Sequence, residues 1–316
     1  MRYLVSGGAG YIGSVVTAEL VHAGHEVTVL DDLSTGHADA VAPGATLVRR
    51  NICEVGEILA GSDYDGVLHF AAKSLVAESV ADPAAYWNNN VVGTLALVDA
   101  VRAQAVPRLV FSSTAATYGD PDEVPITEES ETRPTNPYGA TKLAIDMALT
   151  SYANAYGLAA VSLRYFNVAG ASGPYGERHA TETHLIPIAL HVAAGTRASL
   201  NVNGDDYPTF DGTCVRDYVH VLDLADAHVR ALAACAPGQH KIINLGSGRG
   251  YSVQEVVEAV RRVTGHPIPT EKSPRRAGDP AVLVASNAHA KVALGWQPRR
   301  DLTEMVADAW TFARRT

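Results

Sequence analysis

Cysteine is scarce in this sequence. The 316 residues contain three cysteines, Cys53, Cys214 and Cys235. An odd number of cysteines without metal-binding spacing argues against structural disulfides and against a zinc site, and no metal ligand is assigned from the sequence. The same scarcity favours a protein that works in the reducing cytoplasm.

Long apolar runs and an excess of basic residues are also absent. No apolar stretch approaches the roughly 20 residues that cross a bilayer, and the first residues run into a short strand and glycines, so we expect neither a membrane span nor a signal peptide. The 25 basic residues are outnumbered by 34 acidic ones, which disfavours nucleic-acid binding. The sequence is 47% hydrophobic and 19% charged, a composition typical of a soluble globular protein.

Short β-branched strands alternate with helical stretches through the first half of the chain. This alternation predicts right-handed crossovers and a doubly wound parallel sheet, the α/β architecture of Rossmann domains. Loops rich in glycine, proline, histidine and asparagine follow residue 166 and predict a second, smaller α/β domain. We therefore expect a first domain over residues 1–166, to which residues 212–236 return, and a second domain over residues 167–316.

A glycine motif opens the chain. Gly7-x-x-Gly10-x-x-Gly13 follows the first strand and begins an amphipathic helix, a context typical of dinucleotide binding. Glycines let the backbone approach a pyrophosphate, and the helix N-terminus offers free N–H groups. Asp31 ends the second strand, where a carboxylate accepts hydrogen bonds from the adenosine ribose and repels a 2′-phosphate. The sequence therefore predicts NAD rather than NADP as the cofactor.

A tyrosine and a lysine one helical turn apart form a second motif. The spacing of Tyr138 and Lys142 places both on one face of a helix, and Thr114 ends an upstream strand. A phenol with a pKa of about 10 is a poor base, so we expect the lysine ammonium and the nicotinamide ring to lower that pKa. A shift of about three pKa units corresponds to roughly 4 kcal/mol. Beside the glycine motif, the pair is interpreted as catalytic rather than as two surface residues.

Together the two motifs resemble the extended short-chain dehydrogenase/reductase superfamily. Longer stretches, which cover nearly the whole chain, are similar to the UDP-glucose 4-epimerase family, notably residues 8–14, 89–94, 203–209 and 211–221. The resemblance implies an NAD-dependent isomerase that interconverts UDP-glucose and UDP-galactose. It also implies a homodimer.

The resemblance further implies roles for individual residues. Tyr138 would be the base, Lys142 its electrostatic partner and a ligand of the nicotinamide ribose, and Thr114 a hydroxyl relay. The positions that would contact NAD are Gly7, Gly10, Tyr11, Ile12, Gly13, Asp31, Asp32, Ser34, Thr35, Asn51, Ile52, Phe70, Ala71, Ala72, Lys73, Asn89, Ser112, Tyr138, Lys142 and Phe166. The positions that would contact the UDP-sugar are Thr114, Asn167, His184, Leu185, Asn201, Asn203, Arg216, Arg276, Asp279 and Leu283.

Several positions depart from the family pattern or admit a second interpretation. Asn51 stands where the family often has aspartate, and Lys73 lies one position before the usual lysine. His184 replaces an asparagine found in some members. Two arginines, Arg216 and Arg276, are suited to phosphate oxygens but could instead neutralise neighbouring carboxylates. The asparagines at positions 201 and 203 could face a uracil or solvent.

The resemblance implies a cycle of two hydride transfers. Tyr138, through Thr114 or directly, would remove the proton of the sugar 4-hydroxyl while hydride passes from carbon 4 to NAD. The resulting 4-keto sugar would turn about its bond to the diphosphate, and hydride would return to the opposite face. Such a cycle requires UDP to be held firmly and the hexose loosely.

Three other functions compete with this interpretation. A nucleotide-sugar 4,6-dehydratase would carry an Asp-Glu pair directly after Thr114, whereas this sequence has Ala115-Ala116. Epimerases of other UDP-sugars share the same machinery and stay open. Leu283 stands where a bulky tyrosine restricts some family members, so we expect some turnover of UDP-N-acetylhexosamines. A non-catalytic NAD-binding regulator on the same scaffold would be expected to lack the tyrosine–lysine pair.

Overall fold

The computed structural model describes residues 1–276 and 279–315. The strands are β1 (Arg2–Ser6), β2 (Glu26–Asp31), β3 (Thr46–Arg49), β4 (Gly66–His69), β5 (Leu109–Thr114), β6 (Ala160–Tyr165), β7 (Asn167–Ala169), β8 (Leu200–Asn203), β9 (Val215–His220), β10 (His240–Leu245), β11 (Gly250–Ser252), β12 (Thr270–Ser273) and β13 (Val282–Leu283). The helices are α1 (Tyr11–His22), α2 (Val55–Leu59), α3 (Val76–Ala81), α4 (Pro83–Tyr86), α5 (Gly93–Ala103), α6 (Pro137–Tyr156), α7 (Leu185–Ala193), α8 (Val221–Ala234), α9 (Val253–Thr264), α10 (Ala288–Leu294) and α11 (Leu302–Ala313).

A seven-stranded parallel sheet forms the centre of the fold. Its spatial order is β10-β6-β5-β4-β1-β2-β3, so the direction in which strands are added reverses beside β1. Side chains of β6 are buried along its whole length, as expected for a strand covered by helices on both faces. The predicted doubly wound α/β class is confirmed. In such sheets ligands bind outside the carboxyl ends of the strands, at the point of reversal.

The sequence predicts helix starts at Asp82-Pro83 and at Ser252, with Glu255 three residues on, and the structure has helices there. The Asp82 side chain accepts a hydrogen bond from the Ala85 N–H at the start of α4. At the start of α9, Ser252 and Glu255 form a capping box, and Gly265 ends that helix with a φ of +72°. These local contacts satisfy backbone groups that a helix end leaves without partners.

A π-helical segment, Trp87–Val92, separates α4 from α5. The wider turn directs Asn90 inward, where its amide oxygen accepts the Lys73 N–H at 2.8 Å and its nitrogen donates to the Thr141 hydroxyl at 3.2 Å. The sequence predicts an ordinary helix here. A single π turn leaves no distinct hydrophobic periodicity in the sequence. Such turns are frequent near functional sites.

The second half of the chain forms smaller sheets beside the main one. Strand β9 lies between β11 and β13 and also pairs with β7, while β8 pairs with β12. Helix α8, however, packs against α1, and β10 lies at the edge of the main sheet beside β6. We therefore propose that β10, which the sequence places in the second domain, belongs with the first. The division at residue 166 stays a prediction.

No helix in the described part of the chain is both long and apolar enough to cross a membrane.

Candidate active site

The glycine motif forms a tight turn at the carboxyl end of β1. A Cβ atom on Gly7 would lie 2.4 Å from the Ala71 backbone nitrogen, and one on Gly13 would lie 2.2 Å from the Gly7 carbonyl oxygen. Neither position has room for a side chain. At Gly10, a Cβ atom would meet only the Gly7 carbonyl oxygen, at 3.4 Å, among the described residues. The packing of the chain thus requires glycine at positions 7 and 13, whereas Gly10 borders open space.

Helix α1 begins at this open space. Gly10 is its N-cap, no side chain of the described residues caps it, and its first turn contains no acidic residue. Free N–H groups and the positive end of the helix dipole therefore face the space beside Gly10. This cradle fits a pyrophosphate, because it combines close backbone approach with unpaired donors.

Two aspartates follow β2 at the same edge of the sheet. Asp31 accepts the Ala9 N–H at 3.0 Å and the Leu33 N–H at 2.9 Å, and burial raises its pKa. Asp32 accepts the amide of Asn51 at 3.3 Å. Each carboxylate oxygen retains a lone pair for a ribose hydroxyl. The carboxylates are thus held by the backbone in the position expected for an adenosine ribose ligand.

The remaining predicted cofactor residues differ in exposure and in the contacts that they already make. Ile52 is buried, while Ser34 and Thr35 are exposed. The Lys73 ammonium lies 2.9 Å from a Glu78 carboxylate oxygen, so its charge is already paired within the chain. The other predicted cofactor positions lie at the carboxyl ends of β1, β4, β5 and β6 or on the helices that follow them: Tyr11, Ile12, Phe70, Ala71, Ala72, Asn89, Ser112 and Phe166.

Tyr138 and Lys142 lie on the first turns of α6. The Lys142 ammonium donates to the Ser112 carbonyl oxygen at 2.7 Å and lies 4.8 Å from the centre of the Phe111 ring. Burial lowers the pKa of Lys142 to about 7, and the charge of Asp146 opposes this shift. The amine is therefore held next to the end of β5, in a site where burial disfavours its charged form.

Burial dominates the pKa of Tyr138 in the protein alone. Burial raises this pKa, and a hydrogen bond with Thr114 opposes the rise. The protein groups alone therefore do not acidify the phenol. The reason is that apolar burial dominates, while Lys142 is directed at the Ser112 carbonyl oxygen. The positive charges of a bound cofactor and of Lys142 would both act against this rise in the pKa.

A buried ion pair joins α6 to the main sheet. Arg164 of β6 and Asp146 of α6 are 2.8 Å apart and each at most 3% exposed, and the Ser113 hydroxyl donates to the same carboxylate at 3.1 Å. These contacts fix α6 against β5 and β6. The sequence reasoning missed them, although Asp146 follows Lys142 by one helical turn, a spacing that places both on the inward face.

The predicted sugar residues border the same strand end. Leu283 packs with Phe166 and Ala115 in one apolar cluster. Ala115 directly follows Thr114 in the chain. In the pairing of β13 with β9, it lies opposite Arg216. An apolar surface next to the proposed base offers a hexose few hydrogen bonds.

The predicted phosphate residues are brought together in two pairs. Arg216 contacts Asp279 at 2.6 Å, so it is neutralised within the chain. With the Asn203 amide oriented to place its oxygen toward Arg276, that oxygen accepts two hydrogen bonds of 3.2 Å. Each guanidinium retains further donors for an anion, because it carries five N–H groups.

Other predicted substrate residues lie further from these contacts. Asn201 is exposed on β8, on the same face of the strand as Asn203. Asn167 begins β7 and Leu185 begins α7. The His184 side chain is occupied by two carboxylates, at 2.7 Å from Glu177 and 2.8 Å from Glu182.

Comparison with known proteins agrees with this arrangement. Residues 3–246 match the NAD dependent epimerase/dehydratase family. The UDP-glucose 4-epimerase of Corynebacterium glutamicum is 60% identical over 314 residues, which cover 99% of this chain and 95% of that protein. The chain belongs to the NAD dependent epimerase/dehydratase family.

Solved structures extend the similarity to the fold. A UDP-glucose-4-epimerase from Stenotrophomonas maltophila with bound NAD and formylated UDP-arabinopyranose has a TM-score of 0.95 and 40% identity, with 100% of this chain and 98% of that chain covered. The UDP-Glc/GlcNAc 4-epimerase of Campylobacter jejuni has a TM-score of 0.87 and 38% identity, with 100% and 99% covered. The overall architecture described above is therefore that of a known group of enzymes.

Proposed function

We propose that this chain is an NAD-dependent isomerase that interconverts UDP-glucose and UDP-galactose. The observation that carries the proposal is the meeting of two features at one edge of the sheet. The open cradle at Gly10 lies at the end of β1, and Tyr138, Lys142 and Thr114 gather at the end of β5. The similarity to UDP-glucose 4-epimerases over 99% of the chain supports the same reaction.

The cradle and the two aspartates would hold NAD. The turn from Gly7 to Gly13 would bind its pyrophosphate, Asp31 and Asp32 its adenosine ribose, and Lys142 its nicotinamide ribose. When bound, NAD supplies a hydride acceptor and a positive ring. The NAD dependent family to which the chain belongs supports this cofactor.

The residues of the chain itself would move one proton. Tyr138 would accept the proton of the sugar 4-hydroxyl, directly or through Thr114, and return it after the sugar has turned. The Thr114 hydroxyl is suited to the relay because Thr114 ends β5 beside Tyr138 and acts to lower the pKa of the phenol. Lys142 would stabilise the phenolate by its charge. Transfer of this kind contributes about 10²–10⁴-fold to a rate.

The two ends of the substrate would be held differently. Arg216, Arg276 and Asn203 would bind the UDP portion through charge and hydrogen bonds. The hexose would meet the apolar surface of Leu283 and Phe166, which restricts its rotation little. Firm binding of the nucleotide would prevent loss of the keto sugar while the sugar turns.

The experiment that tests the proposed reaction uses four substrates. The purified protein is incubated with UDP-galactose, UDP-GlcNAc, UDP-xylose and UDP-glucuronate, without added NAD, and the products are identified. We expect conversion of UDP-galactose, because NAD is regenerated in each cycle and need not leave. Exclusive conversion of another UDP-sugar would support the second candidate, an epimerase of that sugar. No conversion of any of them, with or without NAD, would favour the non-catalytic regulator.

The size of residue 283 is expected to control turnover of N-acetylhexosamines. Leu283 packs beside Phe166 at the sugar end of the site, so a larger ring there would fill the space of an N-acetyl group. Replacement Leu283→Tyr should lower the ratio of UDP-GlcNAc to UDP-galactose turnover at least about tenfold, or about 1.4 kcal/mol. The matched variant Leu283→Met, which conserves volume, should keep the ratio. If wild-type protein at high concentration converts no UDP-GlcNAc, this prediction is wrong.

We further propose a homodimer, formed through the surfaces of α5 and α6. Met147 and Tyr156 of α6 are exposed by 64% and 60%, and α6 packs against α5 through the hydrogen bond of Tyr152 with Asp99. The replacement Met147→Glu should convert a dimer into a monomer, measured by light scattering after gel filtration. The control replacement Val292→Glu, at an apolar residue of α10 that is 85% exposed, should leave the dimer intact. A monomeric wild type would contradict the proposal.

We also propose that the protein works in the cytoplasm. Cys53, Cys214 and Cys235 are all free thiols, as is usual in a reducing compartment.

A further inference from the structure

Four side chains converge in the loop between β7 and α7. Glu177, His179, Glu182 and His184 each offer one donor atom, and these atoms all lie within 4.8 Å of one another. The Nδ1 atom of His184 lies 2.7 Å from Glu177 Oε1 and 2.8 Å from Glu182 Oε1. The Nδ1 atom of His179 lies 2.9 Å from the same Glu177 oxygen and 3.9 Å from Glu182 Oε2. Two nitrogens and two carboxylates thus point to one centre.

Positive charge must lie between the two carboxylates, either as a proton on His184, which contacts both of them, or as a metal ion held by the neutral ring. The side chains of Glu177 and Glu182 are each only 9% exposed, and adjacent buried carboxylates repel each other unless positive charge lies between them. Arg178 does not supply this charge, because its guanidinium forms two hydrogen bonds with Asp39, at 2.7 and 2.9 Å. Within the described contacts, Glu182 otherwise accepts the backbone N–H groups of the two residues that follow it.

The chemistry of the donors selects the kind of cation. Imidazole nitrogen together with carboxylate oxygen suits zinc and its neighbours in the transition series, whereas Ca²⁺ and Mg²⁺ take oxygen ligands. Zinc bonds of about 2.0–2.2 Å in a tetrahedron place neighbouring donors roughly 3.3–3.6 Å apart. The observed nitrogen–oxygen distances, 2.7–3.9 Å, bracket this value, and all four donor atoms lie within 4.8 Å of one another, so shifts of about 1 Å would complete the site.

We propose that Glu177, His179, Glu182 and His184 bind one divalent transition-metal ion of the zinc type. Four protein ligands leave no open coordination position, so the ion would be structural rather than catalytic. The scarcity of cysteine does not bear on this set, because all four ligands are histidine or glutamate.

The ion would stabilise a segment that joins the two halves of the protein. Upstream of the ligands, the Gly170 carbonyl accepts the Tyr11 hydroxyl at 2.6 Å. Between them, Arg178 is paired with Asp39 of the first half. Directly after the last ligand, Leu185 begins α7. Coordination of one ion by residues 177–184 would therefore fix the N-terminus of α7, where we place a substrate contact.

The test measures metal binding, independently of catalysis. Full-length protein without a histidine tag is analysed for metal content, stripped with chelator and titrated with Co²⁺, whose visible spectrum reports tetrahedral coordination. We expect one equivalent per chain in the wild type. The replacements Glu177→Gln and His179→Ala should weaken Co²⁺ affinity by more than the roughly 10–100-fold that loss of an outer partner costs. The matched control is His191→Ala, which lines the same cavity but supplies none of the four donors.

Thermal unfolding keeps the test decisive if a variant folds poorly. Zn²⁺ should raise the unfolding temperature of the stripped wild type and of His191→Ala, because it binds the folded state, and should leave that of Glu177→Gln unchanged. Wild-type protein that takes up no stoichiometric Co²⁺ or Zn²⁺ would overturn the proposal and leave histidine–carboxylate ion pairs as the whole role of the cluster. Equal loss of binding in His191→Ala would overturn it as well.

Discussion

The replacement Tyr138→Phe is expected to lower the rate of UDP-galactose epimerisation about 10²–10⁴-fold, the usual contribution of a positioned proton-transfer group. The variant lacks only the phenolic oxygen. Its ring, whose centre lies 6.4 Å from the centre of the Tyr86 ring, remains. The fold and the bound NAD should therefore be retained. The rate is measured with saturating UDP-galactose, and NAD is quantified after the protein is denatured.

A second tyrosine on the same helix provides the control. Tyr156 ends α6 and is 60% exposed. The replacement Tyr156→Phe therefore removes a phenolic hydroxyl from the same helix but outside the site. This variant should epimerise at the wild-type rate. If Tyr138→Phe also retains the full rate, Tyr138 is not the base. If it loses NAD together with activity, the phenol holds the cofactor rather than moving the proton.

The second large effect is expected at Gly10. A Cβ atom there meets only one described atom, at 3.4 Å, so Gly10→Ala should change the free energy of unfolding by no more than about 1 kcal/mol. The methyl group would instead occupy the space into which the pyrophosphate must fit. We expect NAD affinity to fall at least about tenfold, a loss of about 1.4 kcal/mol. Calorimetric titration measures the affinity and thermal unfolding the stability.

Two further glycines separate a ligand contact from a packing requirement. Gly13→Ala would place a Cβ atom 2.2 Å from the Gly7 carbonyl oxygen, so it should destabilise the fold by about 1–3 kcal/mol or more. Outside its own helix and chain neighbours, no described atom lies within 4 Å of the Cβ position of Gly56 in α2, so Gly56→Ala should preserve or slightly raise stability and should preserve NAD affinity. Wild-type affinity in Gly10→Ala would show that the pyrophosphate lies elsewhere.

The fold was largely predictable because its signals are local. The alternation of β-branched runs with helical stretches identified the parallel sheet, and Asp82 and Ser252 identified helix starts through contacts three residues away. The position of β10 was not predictable in this way. Its partner β6 lies about 80 residues earlier in the chain, and nothing in the sequence of a short buried strand specifies which neighbour it takes.

The residues of the candidate site could be predicted from the sequence, but their pKa values and ion pairs could not. Helical spacing brings Tyr138 and Lys142 to one face, yet the pKa of each depends on burial by residues from other elements. The Arg164–Asp146 ion pair likewise depends on which strand lies under α6. His184 illustrates the same limit, because similarity to a family suggested a substrate contact, and nothing in the sequence indicated that the ring contacts Glu177 and Glu182.

The most direct test of the central claim uses UDP-galactose that carries deuterium at carbon 4 of the sugar. The protein is incubated with it in ordinary water, without added NAD, and the product is examined by NMR and mass spectrometry. A cycle in which the hydride leaves and returns within one closed site predicts UDP-glucose that retains the deuterium at carbon 4. UDP-glucose that has lost the deuterium to solvent would contradict the account.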